Sequence, residues 1–275
     1  MASKWACLIG QPVAQSLSPR LHNAAFGALG IDARYTLCET SLAELPGRVE
    51  VLRDPAWLGA NVTAPHKQAV VCLLDSLSSA AQALGAVNTI INRGGVLVGD
   101  NTDAAGLWHW MEAAAIGGST AVVLGAGGAA RAAVWALDHR GAASIRVLNR
   151  TPERAARLVE ELRTHIGQAS LSYGPLHEVA TPTEVAAGVI IHATSLRDAA
   201  PNVHPSWYSP DSVAIELAYS PPLTGFMQSA RAAGARAENG LGMLLHQAAL
   251  AFECWTGQLP PLSIYEAALA DQVHA

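Results

Sequence analysis

The chain has 275 residues, of which 51% are hydrophobic and 14% are charged, and it is long enough for one large domain or two ordinary ones. This composition excludes a mainly disordered protein, because disordered chains are poor in apolar residues and rich in charge. The formal net charge of −5 disfavours a nucleic-acid-binding protein, which needs a basic surface to contact phosphates.

Strand and helix patterns alternate along the first hundred residues. Short apolar runs bounded by turn residues predict buried strands at residues 5–10, 34–39, 57–64, 86–91 and 95–103, the last two joined by a turn at 92–95. Apolar residues at helical spacing predict helices at residues 20–29, 41–52 and 66–75.

The second half of the chain repeats a strand–turn–helix pattern. We predict a helix at 104–114, a strand, glycine turn and helix at 119–141, a strand at 143–150, a helix at 151–165, strands at 188–195 and 212–218, and helices at 241–257 and 264–272. This βαβ alternation is typical of a doubly wound parallel sheet. We therefore expect two α/β domains with a boundary near residues 103–106.

The sequence shows no pattern typical of a membrane-spanning helix, a signal peptide or a metal site. No apolar run reaches the roughly 20 residues that a membrane-spanning helix needs, and we expect no signal peptide. Four cysteines are scattered without a CxxC pair, at positions Cys7, Cys38, Cys72 and Cys254. They are typical of reduced thiols in a cytoplasmic protein, and the histidines lack HExxH spacing, so we expect no metal.

A glycine turn follows the apolar run that ends at residue 124. Gly125, Gly127 and Ala130 form a G-x-G-x-x-A pattern between a predicted strand and a predicted helix. The first glycine permits a tight turn, the second lets the backbone approach a pyrophosphate, and the small third residue lets the helix pack on the strand. The pattern predicts dinucleotide binding, with a purely structural turn as the alternative.

The next strand indicates which dinucleotide is bound. An NAD site usually has an acidic residue at this strand tip, which accepts hydrogen bonds from the ribose 2′-hydroxyl. Here the tip is Asn149, Arg150 and Thr151, with Arg154 one helical turn beyond. Two guanidinium groups can form charge-assisted hydrogen bonds to a 2′-phosphate, so we expect NADP. The alternative is that both arginines belong to a solvated face.

Polar side chains form three motifs in the first half of the chain. They contain Ser16 and Ser18, then Asn61, Thr63 and Lys67, and finally Asn88 and Asp103. Ligands of α/β sheets bind at strand-end loops, so these hydroxyl, amide, ammonium and carboxylate groups predict a site for a polyhydroxylated small acid. For the two serines, the alternative is that they only cap the following helix.

Lysine is rare in this chain. Lys67 and Lys4 are the two lysines among 17 basic residues. A lysine can be tuned to release its proton, whereas an arginine in a protein cannot, so Lys67 in its polar motif is a candidate proton donor. The alternative is that its retention is chance.

The motifs together resemble the shikimate dehydrogenase family over nearly the whole length. The matching stretches, in family order, are GQPVAQSLSPRLHN, GANVTAPHK, GAVNTI, GDNTDAAG, GAGGAARAA, NRT and GLGMLLHQAALAFECWTG. The resemblance implies a substrate domain at residues 1–104 and 240–275 and a Rossmann NADP-binding domain at 105–239, with the active site in the cleft between them. It implies the NADPH-dependent reduction of 3-dehydroshikimate to shikimate, on the route to chorismate and the aromatic amino acids.

Residue roles follow from the same resemblance. It implies substrate binding by Ser16, Ser18, Asn61, Thr63, Lys67, Asn88, Asp103, Tyr219 and Gln247. It implies cofactor binding by Gly125, Ala126, Gly127, Gly128, Ala129, Asn149, Arg150, Thr151, Arg154, Thr194, Leu217 and Gly240. Lys67 and Asp103 match the catalytic pair. An ammonium held by a carboxylate can stabilise and protonate the oxygen of a ketone under reduction, although it can also act only by its charge. The alternative for this pair is a surface salt bridge.

Several positions depart from the family pattern. His192 and Arg197 replace the asparagine and the glycine of Asn-Ala-Thr-Ser-x-Gly, and Glu216 replaces an aspartate. Gln15 and Gly225 are further departures, and most of the changes fall on the expected nicotinamide side.

Three rival functions fit parts of the sequence. A quinate/shikimate dehydrogenase, often NAD-linked, and an aminoshikimate-type relative would share the substrate motifs. A non-catalytic nucleotide-sensing regulator could share the fold, but it would not need the lysine–carboxylate pair. The expected partner is a small-molecule substrate, and family members occur as monomers and homodimers.

Overall fold

A computed structural model of the chain describes residues 3–117, 120–183, 186–194 and 202–270. It divides into two compact units, one formed by Met1–Gly106 with Leu245–Ala275 and the other by Leu107–Leu244. The sequence places the corresponding boundaries after residues 104 and 239, slightly earlier in the chain.

The strands and helices follow one another in the alternating order that the sequence indicates. The strands are β1 (Lys4–Gly10), β2 (Ala33–Glu39), β3 (Trp57–Val62), β4 (Ser76–Leu77), β5 (Thr89–Arg93), β6 (Val96–Asp100), β7 (Thr120–Leu124), β8 (Ser144–Asn149), β9 (Ser170–Pro175), β10 (Val189–His192), β11 (Val213–Glu216) and β12 (Arg236–Glu238). The α-helices are α1 (Ser18–Ala28), α2 (Leu45–Val51), α3 (Ser79–Leu84), α4 (Thr102–Ala113), α5 (Gly128–His139), α6 (Pro152–Leu162), α7 (Gly225–Ala232), α8 (Leu241–Thr256) and α9 (Leu262–Ala268).

The sheet of the first unit is mixed, with strand order β2-β1-β3-β5-β6-β4. β1 pairs in parallel with β2 and β3, whereas β5 is antiparallel to both β3 and β6. The β5–β6 hairpin confirms the turn predicted between residues 92 and 95. Because β1 and β3 run side by side in the same direction, the loops that carry the first two polar motifs leave the sheet at one edge.

The sheet of the second unit is parallel throughout, with order β12-β11-β10-β7-β8-β9. The chain starts in the middle at β7, builds outward through β8 and β9, and then returns to the other side of β7 with β10. This reversal of direction is the topological switch point at which doubly wound sheets bind ligands. The α/β fold class and the doubly wound sheet predicted from the sequence are confirmed.

Some elements differ from the sequence prediction. The helix expected at 66–75 is a short 3₁₀ helix at Ala69–Leu73, where the adjacent β-branched Val70 and Val71 disfavour a longer α-helix. The strand expected at 95–103 ends at Asp100, because Asn101 accepts a hydrogen bond from the Ala104 amide (3.3 Å) and so caps α4. No pattern in the sequence predicted β4, β9, β12, α3 or α7.

A buried histidine lies within an aromatic cluster of the first unit. The His22 ring, fully buried on α1, stacks on Tyr35 with ring centroids 4.4 Å apart and lies 5.1 Å from the Trp255 ring. Burial lowers the pKa of His22 to about 3, because the charged imidazolium would lose its hydration there. His22 is therefore neutral in the folded protein at any pH well above 3.

We predict that His22 makes the first unit acid-sensitive. In the unfolded chain its pKa is 6.5, so acid protonates the unfolded state first, and stability falls as the pH drops from about 6.5 toward 3. The shift should cost about 3 kcal/mol between pH 7 and pH 4. In His22→Phe the unfolding free energy should therefore fall by about 3 kcal/mol less between pH 7 and pH 4 than it does in the wild type. The unfolding free energy is measured at each pH by urea titration with tryptophan fluorescence.

The control is His165→Gln, which removes an exposed histidine and should leave the pH dependence unchanged. Parallel pH curves for the wild type and His22→Phe would show that His22 does not carry the acid sensitivity.

Candidate active site

The loops after β1 and β3 are held together by their backbones. The Thr63 amide donates to the Ile9 carbonyl (2.8 Å), and the Gln11 amide donates to the Ala64 carbonyl (3.2 Å). These bonds place the segment that begins at Gly10 next to the segment that carries Thr63 and Lys67. Two motifs that are about 50 residues apart in the sequence therefore form one edge of the site.

Ser16 and Ser18 are bonded to each other at the start of α1. The Ser16 hydroxyl donates to the Ser18 hydroxyl (3.1 Å) and accepts from the Ser18 amide (3.2 Å). The N-cap position of α1 is Leu17, and no side chain caps the helix there, so neither serine is the N-cap that the alternative expected. The contact between the serines brings the two hydroxyls together as a pair, which is the arrangement that a ligand hydroxyl or carboxylate can use.

Asn61 belongs to a buried network of amides and hydroxyls. Its Oδ1 accepts from the Tyr35 hydroxyl (2.8 Å), and its Nδ2 donates to the Asn88 carbonyl (3.2 Å) and the Thr89 hydroxyl (3.1 Å). These contacts fix the orientation of the amide. Tyr35 was not identified from the sequence, because nothing near it in the chain marks it as a partner of Asn61.

Asn88 extends this network toward α4 and α8. Its Oδ1 accepts from the Thr102 amide (2.7 Å), and its Nδ2 donates to the Thr102 hydroxyl (3.0 Å) and to Gln247 Oε1 (3.5 Å). Asn61, Asn88 and Gln247, three predicted substrate ligands, are therefore linked in one chain of polar groups. Thr89 and Thr102 complete it.

Lys67 and Asp103 form an ion pair. Lys67 Nζ donates to Asp103 Oδ2, and the side chains are 16% and 7% exposed, so the pair is mostly buried and not the surface salt bridge considered as the alternative. Asp103 lies in the first turn of α4, where the helix dipole stabilises a carboxylate. An ammonium carries three protons, so Lys67 can donate to Asp103 and to a ligand oxygen together.

The glycine turn of the second unit has the geometry of an anion cradle. Gly125 has φ of +121°, and a Cβ there would come 2.9 Å from the Ala193 carbonyl oxygen, so glycine is required. A Cβ on Gly127 would meet nothing within 4 Å, so the backbone before α5 is open to a ligand. Ala126, Gly128 and Ala129 are also half-exposed. The turn therefore fits a pyrophosphate at the helix N-terminus.

The tip of β8 presents two exposed arginines. Arg150 and Arg154 have no acidic partner among the residues that the structure describes, whereas Arg146 on the same strand pairs with Glu178. Asn149 Nδ2 donates to the Thr151 carbonyl (2.9 Å) and shapes the tip. Both guanidinium groups therefore fit a 2′-phosphate.

A cavity of about 290 Å³ adjoins Arg150. It is lined by Arg150, Leu176, His177, Val179, Ala180 and Asn202. Its lining therefore combines three aliphatic side chains with three polar ones. No sequence pattern predicted this cavity, because four of its lining residues lie within 176–180, directly after the unpredicted strand β9.

The remaining predicted cofactor residues follow β10 and β11. The Thr194 hydroxyl lies 2.6 Å from His192 Nε2. Leu217 and Gly240 are in contact, because a Cβ on Gly240 would overlap the Leu217 carbonyl oxygen. Tyr219, predicted to bind substrate, belongs to this second unit and is half-buried. Arg197 lies outside the described residues.

The described part of the chain contains neither a cluster of metal ligands nor a helix that could span a membrane. Among residues 3–117, 120–183, 186–194 and 202–270, no three His, Cys, Asp or Glu side chains are grouped so that they could hold a metal ion. No helix in those same ranges combines the length and apolar character that crossing a bilayer requires.

Three family models match the chain in sequence order. The model described as "Shikimate dehydrogenase substrate binding domain" matches residues 8–90, "Shikimate / quinate 5-dehydrogenase" matches residues 111–201, and "Shikimate 5'-dehydrogenase C-terminal domain" matches residues 240–269. The first and last of these fall mostly in the first unit, and the second falls in the other unit.

Individual relatives agree with the family models. A shikimate dehydrogenase (NADP(+)) of Moorella thermoacetica is 39% identical over 98% of this chain and 93% of its own length. The structure of a shikimate 5-dehydrogenase from Thermus thermophilus in complex with NADP(H) and shikimate has a TM-score of 0.85 and 38% identity, covering 98% of this chain and 99% of that one. A quinate dehydrogenase from Corynebacterium glutamicum in complex with NAD has a TM-score of 0.86 and 29% identity, covering 98% and 99%. The backbone alone therefore does not separate these substrates.

Proposed function

This chain belongs to the shikimate dehydrogenase family, and we propose that it catalyses the reversible, NADPH-dependent reduction of 3-dehydroshikimate to shikimate. The observation that carries the proposal is the mostly buried Lys67–Asp103 pair beside a network of fixed amides and hydroxyls. A non-catalytic nucleotide sensor would gain nothing from such a pair, because placing two charges away from water costs free energy.

The substrate is proposed to bind in the first unit through groups already held in place. The proposed ligands are Ser16, Ser18, Asn61, Thr63, Lys67, Asn88, Asp103 and Gln247, and the role of Tyr219 stays a prediction. Hydrogen bonds to the hydroxyls of Tyr35 and Thr89 fix the orientation of the Asn61 amide. Little side-chain entropy is therefore lost when a ligand hydroxyl binds to it. A ring with several hydroxyls and a carboxylate matches this set of donors and acceptors.

The cofactor proposal rests on the second unit. The open backbone at Gly127 and the N-terminus of α5 support a pyrophosphate site. Arg150 and Arg154, which have no acidic partner within the described part of the chain, support NADP over NAD. NADPH, when bound, supplies the hydride that reduces the ketone.

Lys67 is proposed to be the general acid that protonates the ketone oxygen during reduction. As the ketone is reduced, negative charge develops on its oxygen, and the Lys67 ammonium stabilises that charge and donates a proton from Nζ to the oxygen. Asp103 accepts a hydrogen bond from Nζ and so keeps the ammonium in position through the reaction. In the reverse direction the neutral amine of Lys67 accepts the proton from the substrate hydroxyl.

Quinate and aminoshikimate-type compounds are the alternative substrates of the same site. Initial rates with shikimate and with quinate, each with NADP+ and with NAD+, test the assignment, and faster turnover of quinate than of shikimate would contradict it. A cytoplasmic location and a monomeric or homodimeric state stay predictions.

We predict that Lys67→Ala lowers turnover by at least about 10²-fold, the usual scale for a lost general acid. NADP+ affinity should stay unchanged, because Lys67 and the glycine turn belong to different units. Turnover is measured from initial rates, and circular dichroism checks that the variant folds with Asp103 unpaired. The matched control is Lys4→Ala, which removes the other lysine, an exposed side chain bonded to the Pro55 carbonyl.

Further variants separate the roles of Lys67. Lys67→Arg keeps the charge but cannot release a proton, so its turnover should resemble that of Lys67→Ala. Recovery of most activity by arginine would mean that Lys67 acts by charge alone. Asp103→Asn should also lower turnover, and the Lys67→Ala/Asp103→Asn double variant should be no worse than the poorer single one, because the two groups act as a unit.

Arg150→Ala should raise the KM for NADP+ by roughly 10- to 150-fold, the range for a lost charge-assisted hydrogen bond, and leave the KM for NAD+ nearly unchanged. Arg163→Ala, at the far end of α6, is the control and should change neither value. An equal loss with both cofactors would mean that Arg150 does not recognise the 2′-phosphate.

Thr63→Val should weaken shikimate binding by roughly 2- to 10-fold, because it removes a hydroxyl while nearly conserving shape. Calorimetry measures this, with unchanged NADP+ binding as an internal check. Thr256→Val is the control, since the Thr256 hydroxyl donates to the Phe252 carbonyl within α8. Wild-type shikimate affinity in Thr63→Val would place the substrate elsewhere.

A further inference from the structure

A buried histidine directly precedes Lys67 in the chain. The His66 side chain is 0% exposed, and Nε2 of its ring lies 2.6 Å from the Thr40 carbonyl oxygen. A carbonyl oxygen only accepts, so Nε2 carries the proton of this hydrogen bond. The proposed mechanism gives His66 no role.

The hydrogen bond from His66 connects the segments that follow three neighbouring strands. Thr40 follows β2, and its amide donates to the carbonyl of Gly10 at the end of β1 (3.0 Å). A Cβ on Gly10 would come 2.3 Å from the Thr63 methyl, so the segments after β1 and β3 pack closely. The His66 side chain joins the segment after β3 to Thr40 and so links all three segments.

The imidazole is a poor choice for this position if packing is its whole task. His66 Nδ1 is buried and has no hydrogen-bond partner among the residues that the structure describes. A buried polar atom without a partner costs free energy, which an apolar side chain of similar size would avoid. Local choices that cost stability are expected where a residue serves function. The contact that an apolar side chain could not make is the Nε2–H bond to Thr40.

The backbone of Lys67 is held on both sides. On its C-terminal side, the Lys67 carbonyl accepts from the Val87 amide (2.8 Å). On its N-terminal side lies His66, whose amide donates to the Thr63 carbonyl (2.9 Å) to close the turn after β3. Without Nε2–H, the buried Thr40 carbonyl would lose a donor, and the turn would shift to bring water or another donor to it.

We propose that His66 is a positioning residue, whose Nε2–H bond to the Thr40 carbonyl fixes the turn that carries Lys67 and so directs the Lys67 ammonium at the ligand oxygen. The inference rests on the proposed function, in which that ammonium protonates the ketone oxygen. Because Nζ has to meet Asp103 and the ligand oxygen together, a shift of the Lys67 backbone takes it away from one of them.

The first test is the steady-state kinetics of shikimate oxidation by the full chain. His66→Leu removes the donor while nearly conserving volume, and kcat should fall by roughly 10-fold or more, because misplacing a reacting group by about 1 Å can cost about 10²-fold. The KM for NADP+ should stay unchanged, since the glycine turn belongs to the other unit. His66→Gln should restore most of the turnover, because its side-chain amide can donate to Thr40 from nearly the same position as Nε2.

Asn92→Ala is the matched control for a general loss of stability. Asn92 also connects segments through a side-chain donor, since its Nδ2 donates to the carbonyls of Asp54 (3.0 Å) and Trp57 (3.1 Å). It lies near the end of β5 that is remote from Lys67. Urea titration gives the unfolding free energy of each variant, and Asn92→Ala should lower this free energy without changing kcat. If His66→Leu does not fold, His66→Asn replaces it, because its amide is one methylene too short to reach the carbonyl.

A second readout does not depend on activity. Lys67 and Lys4 are the two lysines of the chain, so their acetylation by acetic anhydride can be followed separately by peptide mass spectrometry. In His66→Leu the acetylation rate of Lys67 relative to Lys4 should rise by roughly 2- to 10-fold, the range for one lost hydrogen bond that holds the lysine in place. His66→Gln should return the ratio to the wild-type value, and Asn92→Ala should leave it unchanged.

Three results would overturn the proposal. They are a wild-type kcat and wild-type Lys67 acetylation in His66→Leu, equal losses of kcat in His66→Leu and His66→Gln, or an equal loss of kcat in Asn92→Ala. Failure of the proposed function gives a different result, because the wild type would then not oxidise shikimate. The acetylation ratios of the His66 variants would still show whether His66 positions Lys67.

Discussion

The Lys67–Asp103 ion pair is the constraint around which the polar site of the first unit is arranged. Two opposite charges that are mostly removed from water are stable only if their surroundings hold them in contact and satisfy their remaining polar atoms. The helix dipole of α4 stabilises the carboxylate, and the Lys67 carbonyl accepts from the Val87 amide (2.8 Å), which ties the lysine segment to the residues just before β5. Asn88 follows Val87 directly, so the ion pair and the amide network share one support.

In the second unit, the parallel topology of the sheet determines where the polar groups lie. Every strand of its sheet runs in the same direction, so the glycine turn after β7, the arginines after β8, and the His192–Glu216 pair at the ends of β10 and β11 all lie at the carboxyl edge. Helix N-termini and strand-end loops gather at that edge in any doubly wound sheet. The glycine at position 125 allows the tight turn after β7 at this edge, since a Cβ there would come 2.9 Å from the Ala193 carbonyl oxygen.

Much of the fold could be predicted from the sequence because local physics determines it. Apolar periodicity located most of the strands and helices, and the strand–turn–helix order around Gly125 predicted the parallel sheet. Local patterns did not predict the short 3₁₀ helix at Ala69–Leu73 or the helices α3 and α7 correctly. Those segments are short, and their caps at Ser78 and Thr224 become informative only when the following residues are known to be helical.

The sequence by itself determined which groups are available to the site: one of two lysines in a polar loop, a G-x-G-x-x-A turn, and a strand tip with arginines in place of an acid. Only the tertiary structure decided how those groups are held. Tyr35 and Asn61 are 26 residues apart, and His192 and Glu216 are 24 apart, so neither contact has a local signature. The cavity beside Arg150 likewise depends on a strand that the sequence did not indicate. Hydrogen bonds between distant segments depend on sheet register and packing, and these arise when the whole chain buries its apolar surface.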